Sequence, residues 1–296
     1  MGQAAAPPSG RPDVATACSW LFVPGDRADR FPKAVSSGAD VVVCDLEDAV
    51  APETKAGARE AVGRWLREGG VACVRINAHG TAWHDDDVAA LAGAPGLAAV
   101  LVPKAEHPAR LTALSRRLGP GTAVVALVES ALGVHRAHEL AAAPGVVRLA
   151  FGSIDLALDL GTEDAALPLL LARSTLVLAS RVAGRPAPVD GVTARVDDLG
   201  AVQQDTAAAV GLGFGGKLCV HPRQVAVVNG GFRPGEAEVR SAEQVVAAAA
   251  SGSVVRLDGR MIDRPVVERA RQVLRRAGID PDAPAPGSPA GTTGTT

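Results

Sequence analysis

Eight short apolar segments recur between residues 19 and 220, and helix-like stretches separate them. Apolar runs of this length between helices are typical of strands buried on both faces of a parallel sheet. Eight alternating units predict an α/β fold, the (β/α)8 TIM barrel, followed by a C-terminal helical extension. The predicted strands are Ser19–Val23, Val41–Leu46, Val71–Asn77, Ala98–Val102, Val124–Glu129, Val147–Asp155, Ala187–Val189 and Lys217–Val220.

An open, doubly wound sheet is the main alternative, because it also alternates strands with helices. Its dinucleotide-binding form carries G-x-G-x-x-G directly after the first strand, and no such sequence follows Ser19–Val23. One late match, Gly211–Gly216, precedes a strand instead of following one. We therefore expect the closed barrel.

The two ends of the chain differ in composition from its middle. Residues 1–17 and 281–296 are rich in Pro, Gly and Ala, which predicts a disordered arm and a disordered tail. Residues 18–230 are expected to form the barrel. Residues 231–280 lie beyond the eight units, and we expect them to pack on the barrel or on a neighbouring subunit.

Charge and hydropathy exclude several classes of partner. The formal net charge is −2 over 296 residues and there is no basic stripe, which argues against nucleic acid. No apolar stretch is long enough to span a bilayer, and the N-terminus lacks the apolar segment of a signal peptide. The four cysteines stand far apart, as expected of reduced, packed thiols. These features predict a cytoplasmic protein with no membrane partner.

Two carboxylates end consecutive predicted strands. If those strands are adjacent and parallel, Glu129 and Asp155 converge on one small volume. Two such carboxylates repel each other unless a proton or a cation lies between them. Oxygen ligands without His or Cys favour Mg²⁺ or Mn²⁺ over zinc. We therefore predict Glu129 and Asp155 as ligands of Mg²⁺.

Other charged residues follow the remaining strands. Arg75 lies near the end of the third predicted strand, and Glu47 and Asp48 follow the second. Arg75 either balances those acids as an ion pair or binds a substrate carboxylate or developing oxyanion. Lys104 and Asp190 also follow strands. In a barrel both would point at the same mouth as the other charges, although the start of a solvated loop is the ordinary interpretation.

The first strand leads into a turn that carries two arginines. Pro24 and Gly25 stop the strand, and Arg27 and Arg30 follow within the next turn. One interpretation is an ordinary turn with solvated charges. The other is an anion site for a phosphate-bearing ligand at the same end of the barrel.

Seven segments, read together, resemble the HpcH/HpaI aldolase and citrate lyase beta-subunit family. The resemblance runs from about Ser19 to Gly278. The segments are L-F-V-P-G-D-R-A-D-R-F (Leu21–Phe31), G-A-D-V-V-V-C-D-L-E-D-A-V (Gly38–Val50), V-R-I-N (Val74–Asn77), V-P-K-A-E (Val102–Glu106), A-L-V-E-S-A-L-G-V (Ala126–Val134), L-A-F-G-S-I-D-L (Leu149–Leu156) and G-K-L-C-V-H-P-R-Q (Gly216–Gln224).

This resemblance implies a Mg²⁺-dependent barrel that cleaves or forms a C–C bond between an acyl-CoA and a 2-oxo acid. It also implies a homotrimer or a hexamer of two trimers. By position, Glu129 and Asp155 match the family's metal ligands, and Glu129 lies against the substrate. Arg75 matches the substrate-contacting arginine. Glu47 and Asp48 match the acidic pair that holds metal-bound waters.

Two further parts of the chain take roles from the resemblance. The turn with Pro24, Arg27 and Arg30 is similar to the part of the family that meets the CoA phosphates. Met261-Ile262-Asp263 resembles a C-terminal motif of the longer CoA-ester lyases, in which the aspartate acts as acid/base in a neighbouring subunit. The expected function is thus a lyase of the malyl- or citramalyl-CoA type. The alternatives are a metal-dependent aldolase on free 2-oxo acids and a non-catalytic CoA-ester-binding subunit.

Overall fold

Eight parallel strands close a barrel in the computed structural model, which describes residues 11–250, 256–257 and 260–281. The strands are hydrogen-bonded in chain order, and the eighth returns to pair with the first. The predicted (β/α)8 fold is therefore confirmed. The strands are β1 Ser19–Pro24, β2 Val41–Asp45, β3 Ala72–Arg75, β4 Leu97–Val102, β5 Ala123–Val128, β6 Val146–Phe151, β7 Val189–Asp190 and β8 Gly216–Cys219.

Helices link the strands and surround the barrel. They are α1 Phe31–Val35, α2 Lys55–Arg67, α3 His84–Leu91, α4 Pro108–Leu118, α5 Ala131–His135, α6 Ala137–Ala142, α7 Ser153–Leu160, α8 Leu170–Val182, α9 Leu199–Leu212 and α10 Pro222–Phe232. Side chains cap some of them: Ser130 Oγ accepts from the N–H of Gly133, and Asp198 accepts from that of Ala201. Among the described residues, no helix has the length and apolarity needed to cross a bilayer.

Strand alternation divides the apolar side chains into two layers. One set fills the barrel, with Trp20, Val43 and Leu127 among its members. The other set, which includes Cys44 and Val128, packs between the strands and the surrounding helices. Successive residues of a strand point to opposite faces, so the residue two positions beyond an inward-facing side chain also faces inward. This rule decides which charges reach the interior at the carboxyl end.

The N-terminal end of the barrel is closed by part of the segment predicted to be disordered. Residues 1–10 lie outside the described residues, but Val14 and Ala17 are buried. Arg148 is 1% exposed and donates to the carbonyl oxygens of Val14 at 3.0 Å and Ala17 at 2.8 Å. The prediction of a disordered arm is therefore wrong for residues 11–17. Contacts from a buried guanidinium hold a segment whose composition alone suggests disorder.

A second compact unit follows, from Arg233 onward. It contains α11 Glu236–Ala250, a hairpin of β9 Arg256–Leu257 and β10 Arg260–Met261, and α12 Arg264–Arg276. Helices α11 and α12 share a small apolar cluster formed by Ala242, Ala270, Val273 and Leu274. The predicted boundary after residue 230 falls within α10, which continues to Phe232. Residues 282–296 of the predicted tail lie outside the described residues.

Candidate active site

Three charged side chains meet at the carboxyl end of the barrel interior. Asp45 and Arg75 are partners in the β2–β3 register, two positions beyond the inward-facing Val43 and Cys73. Glu129 follows β5 and is likewise two positions beyond the inward-facing Leu127. Period-2 alternation therefore directs all three into the mouth of the barrel. Catalytic residues of this fold characteristically lie there.

Arg75 is held by a carboxylate fork. Its Nε and Nη2 donate to the two oxygens of Asp45 at 2.7 and 2.5 Å, and its Nη1 lies 3.0 Å from Glu47 and 3.4 Å from Asp48. The guanidinium also packs 5.0 Å from the ring centroid of Phe22. Burial by itself lowers the pKa of Arg75, but the nearby carboxylates of Asp45, Glu47 and Asp48 outweigh burial and raise that pKa. Arg75 therefore stays charged in a fixed orientation.

Glu47 places a carboxylate oxygen that accepts no hydrogen bond at the same end of the barrel interior. It is 6% exposed, and its Oε2 accepts no hydrogen bond although Arg75 Nη1 lies 3.0 Å away. The N–H groups of Arg75 do not point along that line, so the contact is an ion pair only. Burial raises the pKa of Glu47 to about 7, with Asp48 adding to the rise and Arg75 opposing it. A buried carboxylate oxygen without a donor is suited to a cation or its water ligands.

Glu129 is the most strongly perturbed of these carboxyl groups. It is 3% exposed, and its Oε1 accepts one hydrogen bond, 2.7 Å long, from the N–H of Lys104. Burial, together with the charges of Glu47 and Asp155, raises its pKa to about 8. The Lys104 N–H and Arg75 oppose that rise without cancelling it. Glu129 thus lies among like charges, as a carboxylate prepared for a cation does.

Lys104 is positioned by an unusual backbone conformation. Its φ is +48°, and within the described residues it is the one non-glycine with a positive φ. The conformation aims its N–H at Glu129 and leaves its Nζ 3.7 Å from Glu47 Oε1. Lys104 is therefore more than the start of a solvated loop, because both its N–H and its Nζ contact carboxylates of the site. Strain of this kind is retained where surrounding structure requires it.

Asp155 reaches the site differently from the way the sequence suggested. The sixth strand ends at Phe151, and Asp155 lies in the first turn of α7. Gly152 connects the two, and a Cβ there would come within 2.5 Å of Glu129 Oε2. The prediction that Asp155 ends a strand is wrong, because Ser153 already starts the helix. Asp155 nevertheless acts on the pKa of Glu129, so the two carboxylates share one electrostatic environment.

The residues at this end fit a magnesium ion. No group of three or more His, Cys, Asp or Glu side chains encloses an ion among the described residues. Mg²⁺ is characteristically bound through one or two carboxylates and keeps several waters, so a complete protein cage is not required. Glu129 and Asp155 supply two carboxylates with oxygen-only chemistry, and the unsatisfied Glu47 Oε2 adds a third acceptor nearby.

Two residues that support the site were missed from the sequence. Asp45 is 1% exposed, holds Arg75, and accepts from the N–H groups of Glu47 and Ala49. Lys55 is buried in α2, donates to the carbonyls of Leu46 and Glu47, and lies 5.0 Å from the Trp83 ring centroid. An aspartate interrupting the apolar run V-V-V-C-D-L was a signal for Asp45. Lys55 carried no sequence signal, since a lysine on a helix is ordinarily solvated.

The turn after β1 is packed against β2. Gly25 donates to the Asp45 carbonyl at 2.8 Å, and a Cβ on Gly25 would come within 2.7 Å of that oxygen. Pro24 pairs in register with Asp45. Arg27 forms a two-pronged, exposed ion pair with Asp29, and Arg30 is exposed. The turn lies at the barrel mouth, and its assignment to CoA phosphates stays a prediction.

Asp190 does not join the other charges. It follows the inward-facing Val189 by one position, so it points outward between the barrel and α8. There Arg173 donates to both of its oxygens, at 3.2 and 2.7 Å, and Lys217 Nζ lies 3.6 Å away. This buried cluster borders a cavity of about 520 Å³ between the β7 end and α9. The expectation that Asp190 shares the barrel mouth is wrong because strand parity turns it away.

Asp263 belongs to the second unit. It is exposed, and its side chain caps α12 by accepting from the N–H of Val266 at 3.1 Å. The described contacts of Asp263 are therefore those of a helix N-cap. Its predicted role as an acid/base stays a prediction.

Comparison with known proteins places these features in a family. Residues 19–222 match the model of the HpcH/HpaI aldolase/citrate lyase family. A citrate lyase subunit beta-like protein of Mycobacterium tuberculosis is 39% identical over 267 residues, which cover 88% of this chain and 95% of that one. A (3S)-malyl-CoA thioesterase of Cereibacter sphaeroides is 32% identical, with 88% and 94% covered.

Solved structures agree with the sequence relatives. The crystal structure of CitE from Mycobacterium tuberculosis with magnesium, acetoacetate and coenzyme A has a TM-score of 0.77 and 38% identity. The match covers 89% of this chain and 99% of that one. A citrate lyase beta subunit from the same organism, complexed with oxaloacetate and magnesium, has a TM-score of 0.64 and 37% identity over 74% of this chain and 98% of that one. The resemblance of the motifs is thus confirmed, and the chain belongs to the HpcH/HpaI aldolase/citrate lyase family, a family of lyases.

Proposed function

We propose that this chain is a Mg²⁺-dependent carbon–carbon lyase that interconverts a 3-hydroxyacyl-CoA with an acyl-CoA and a 2-oxo acid, of the malyl- or citramalyl-CoA type. The proposal depends on one observation, the position of the Arg75 guanidinium close to Glu129. Two hydrogen bonds to Asp45 orient that guanidinium, and Glu129 is a buried carboxyl group whose pKa is raised by neighbouring carboxylates. A fixed cation next to a cation-binding carboxylate is suited to substrates with a carboxylate and an oxygen that gains charge.

Glu129 and Asp155 would hold the metal, and Glu47 and Asp48 would hold its water ligands. When bound there, Mg²⁺ supplies Lewis acidity and a template for the carboxylate and neighbouring oxygen of the oxo-acid half. The magnesium present in the relatives' structures supports this cofactor. The unsatisfied Glu47 Oε2 gives an independent reason from this chain's own residues.

Arg75 stabilises the charge that develops when the C–C bond breaks. Its Nε and Nη2 are committed to Asp45, so Nη1 is the part of the fork that faces Glu47 and Asp48. As the hydroxyl gives its proton to a carboxylate of the site and becomes a ketone, the C–C bond breaks, and its electron pair leaves with the thioester half as an enolate whose oxygen is negative. A guanidinium that is already oriented spends no reorganisation energy when that charge appears.

Proton transfer to the enolate carbon completes cleavage. Asp263 is the candidate acid, acting from a partner chain, and in condensation it would remove the same proton. The turn with Pro24, Arg27 and Arg30 would meet the CoA phosphates. These roles accord with an assembly of three or six chains in the cytoplasm, which sedimentation velocity and cell fractionation would test.

The central test uses the purified full-length chain with a malyl- or citramalyl-CoA substrate. We expect Glu129→Gln and Asp155→Asn to reduce kcat/KM by at least about 10²-fold, and EDTA to abolish activity. Glu60→Gln is the matched control, because Glu60 is exposed on α2. Activity that survives EDTA, or near-normal rates in both variants, would remove the metal from the mechanism.

Two alternatives predict different outcomes. A metal-dependent aldolase on free 2-oxo acids would turn over free hydroxy acids as well as their CoA thioesters. A non-catalytic CoA-ester-binding subunit would bind the thioester in titration calorimetry without forming product. The proposed lyase requires turnover of the thioester and a large preference for it over the free acid.

A further inference from the structure

Lys104 has a backbone conformation that only glycines adopt elsewhere in the described part of the chain. Eleven glycines there have a positive φ, and Lys104, at +48°, is the single residue of another type. The conformation aims the Lys104 N–H at Glu129, but a glycine would offer the same N–H with less strain. Strain that persists where glycine would serve indicates that the side chain is needed at that position. The ammonium group is therefore expected to have a role of its own.

The ammonium of Lys104 lies among the carboxylates of the barrel mouth, and no hydrogen bond holds it there. Its Nζ is 3.7 Å from Glu47 Oε1, and no acceptor among the described residues forms a hydrogen bond with it. Burial lowers the pKa of Lys104, but four nearby carboxylates outweigh burial and raise that pKa. They are Glu47, Asp48, Glu129 and Asp155. Because the side chain is also 52% exposed, it neutralises part of the acidic cluster and still has room to move.

Arg75, the other cation beside Glu47, cannot move in the same way. Its Nε and Nη2 donate to Asp45, its side chain is 12% exposed, and its guanidinium packs on the ring of Phe22. A rotation of Arg75 would break two charge-assisted hydrogen bonds, whereas a rotation of Lys104 would break none of its side chain. Any exchange of cations at the mouth therefore involves Lys104.

The four carboxylates near the Lys104 ammonium are the ones that the proposed function assigns to Mg²⁺ and its water ligands. A Mg²⁺ ion on Glu129 and Asp155 would take over the charges that the ammonium now neutralises, and two cations this close repel each other. The ammonium therefore competes with the metal. An anionic substrate changes that balance, because its carboxylate gives the ammonium a second partner at the same mouth.

We propose that Lys104 is a tethered counter-cation of the metal site, which gives way to Mg²⁺ and then binds the carboxylate of the 2-oxo acid. This exchange of partners makes Mg²⁺ and the oxo acid bind cooperatively, and by linkage each tightens the binding of the other by the same factor. The inference rests on the proposed function for the metal and for the class of the acid.

Titration calorimetry of Mg²⁺ into the purified full-length chain, with and without saturating pyruvate, measures the coupling without any turnover. Lys104→Met keeps a long side chain and removes its charge. We expect this variant to bind Mg²⁺ alone at least about tenfold more tightly than the wild type, and pyruvate to tighten Mg²⁺ binding at least about fivefold less. Lys33→Met is the matched control, because Lys33 is exposed on α1, and it should match the wild type in both measurements. Equal or weaker Mg²⁺ binding by Lys104→Met, or unchanged coupling, overturns the proposal.

Chemical labelling of the wild type follows the ammonium itself and needs no variant. An N-hydroxysuccinimide ester of acetic acid modifies accessible amines, and mass spectrometry compares Lys104 with Lys33 in the same sample. We expect Mg²⁺ alone to raise the labelling of Lys104 relative to Lys33 at least about twofold, because the group leaves its carboxylates, and added pyruvate to reverse the rise. Labelling of Lys104 that is unaffected by both ligands overturns the proposal. Absence of thioester turnover would instead refute the lyase assignment, and it would leave these measurements intact because they use only Mg²⁺ and pyruvate.

Discussion

Magnesium binding to the barrel mouth is expected to depend steeply on pH. The carboxyl groups that face the ion hold protons near neutrality: the pKa of Glu129 is raised from 4.5 to about 8 and that of Glu47 to about 7. Burial is the largest cause for both, and neighbouring carboxylates add to it. Because a metal ligand must be ionised, the ion competes with these protons.

The size of the effect follows from the two pKa values. At pH 7, about one Glu129 in ten is ionised, and a pKa shift of one unit corresponds to about 1.4 kcal/mol. We therefore expect Mg²⁺ to bind about tenfold more weakly at pH 7 than well above pH 8. Glu47, half ionised at pH 7, adds to the slope. Binding at pH 7 should release about one proton or slightly more, shared by the coupled pair.

The folding stability of the metal-free protein should depend on the ionisation of the same two carboxyl groups. It should decrease as pH rises, whereas Mg²⁺ affinity should increase. Because the folded pKa of Glu129 lies above the unfolded value, the folded state holds more protons than the unfolded state between about pH 4.5 and pH 8. Stability of the metal-free protein is therefore lost as pH rises through that window, by an amount on the order of 5 kcal/mol from Glu129 alone. Saturating Mg²⁺ should remove most of this loss, since it stabilises the ionised carboxylates.

Titration calorimetry in buffers of different ionisation enthalpy measures both affinity and proton release. The control is Glu47→Gln, which removes the largest electrostatic contribution to the raised pKa of Glu129. In that variant the pH dependence of Mg²⁺ affinity should move to lower pH. A dissociation constant that is flat from about pH 6 to 8.5, with no proton release, refutes the reasoning.

Four further changes test individual contacts. Asp45→Asn should lower kcat/KM by about 10²–10³-fold in steady-state kinetics, because Arg75 loses the fork that orients it; a near-normal value would show that the fork is dispensable. Gly152→Ala should abolish measurable Mg²⁺ binding by calorimetry and also lower the thermal unfolding temperature, since its Cβ would lie 2.5 Å from Oε2 and 2.6 Å from Cβ of the buried Glu129; unchanged binding would contradict the packing. Lys104→Gly should be about 1 kcal/mol more stable than Lys104→Ala in urea denaturation, because only glycine adopts φ +48° without strain, and equal stabilities would contradict that strain. Arg148→Met should destabilise the fold by about 3 kcal/mol in the same assay by stranding buried carbonyls at the barrel base, and a loss below about 1 kcal/mol would show that those carbonyls find other donors.

The positions of the strands were accessible from sequence because they depend on local pattern. Each strand is a short apolar run that ends at a turn, and the predicted and observed bounds of β1, β2, β4 and β5 differ by no more than one residue at either end. The sequence prediction placed the end of the sixth strand at Asp155, whereas β6 ends at Phe151. Ser153-Ile154-Asp155 is compatible with either a strand or a helix start, and the close approach of the preceding Gly152 to Glu129 is a non-local contact that the segment itself does not reveal.

The candidate site was accessible only in part. Glu129 and Arg75 could be predicted as site residues because a charged residue at the end of a buried apolar strand can be recognised from the sequence alone. Asp45 was overlooked because it lies within the run, although strand parity places it beside Arg75. Asp190 was grouped with the others because its neighbours in the fold, Arg173 and Lys217, are distant in sequence.

The sequence by itself determined the alternation of strands and helices, and with it the closed barrel and the end at which charged groups collect. Those features arise from residue spacing and from the burial of apolar side chains, which act over a few residues at a time. Tertiary structure alone decided which charges face inward, how Arg75 is oriented, and how the carbonyls of Val14 and Ala17 are satisfied by Arg148. These outcomes depend on register and on contacts between residues as many as 134 positions apart, where no local pattern carries the information.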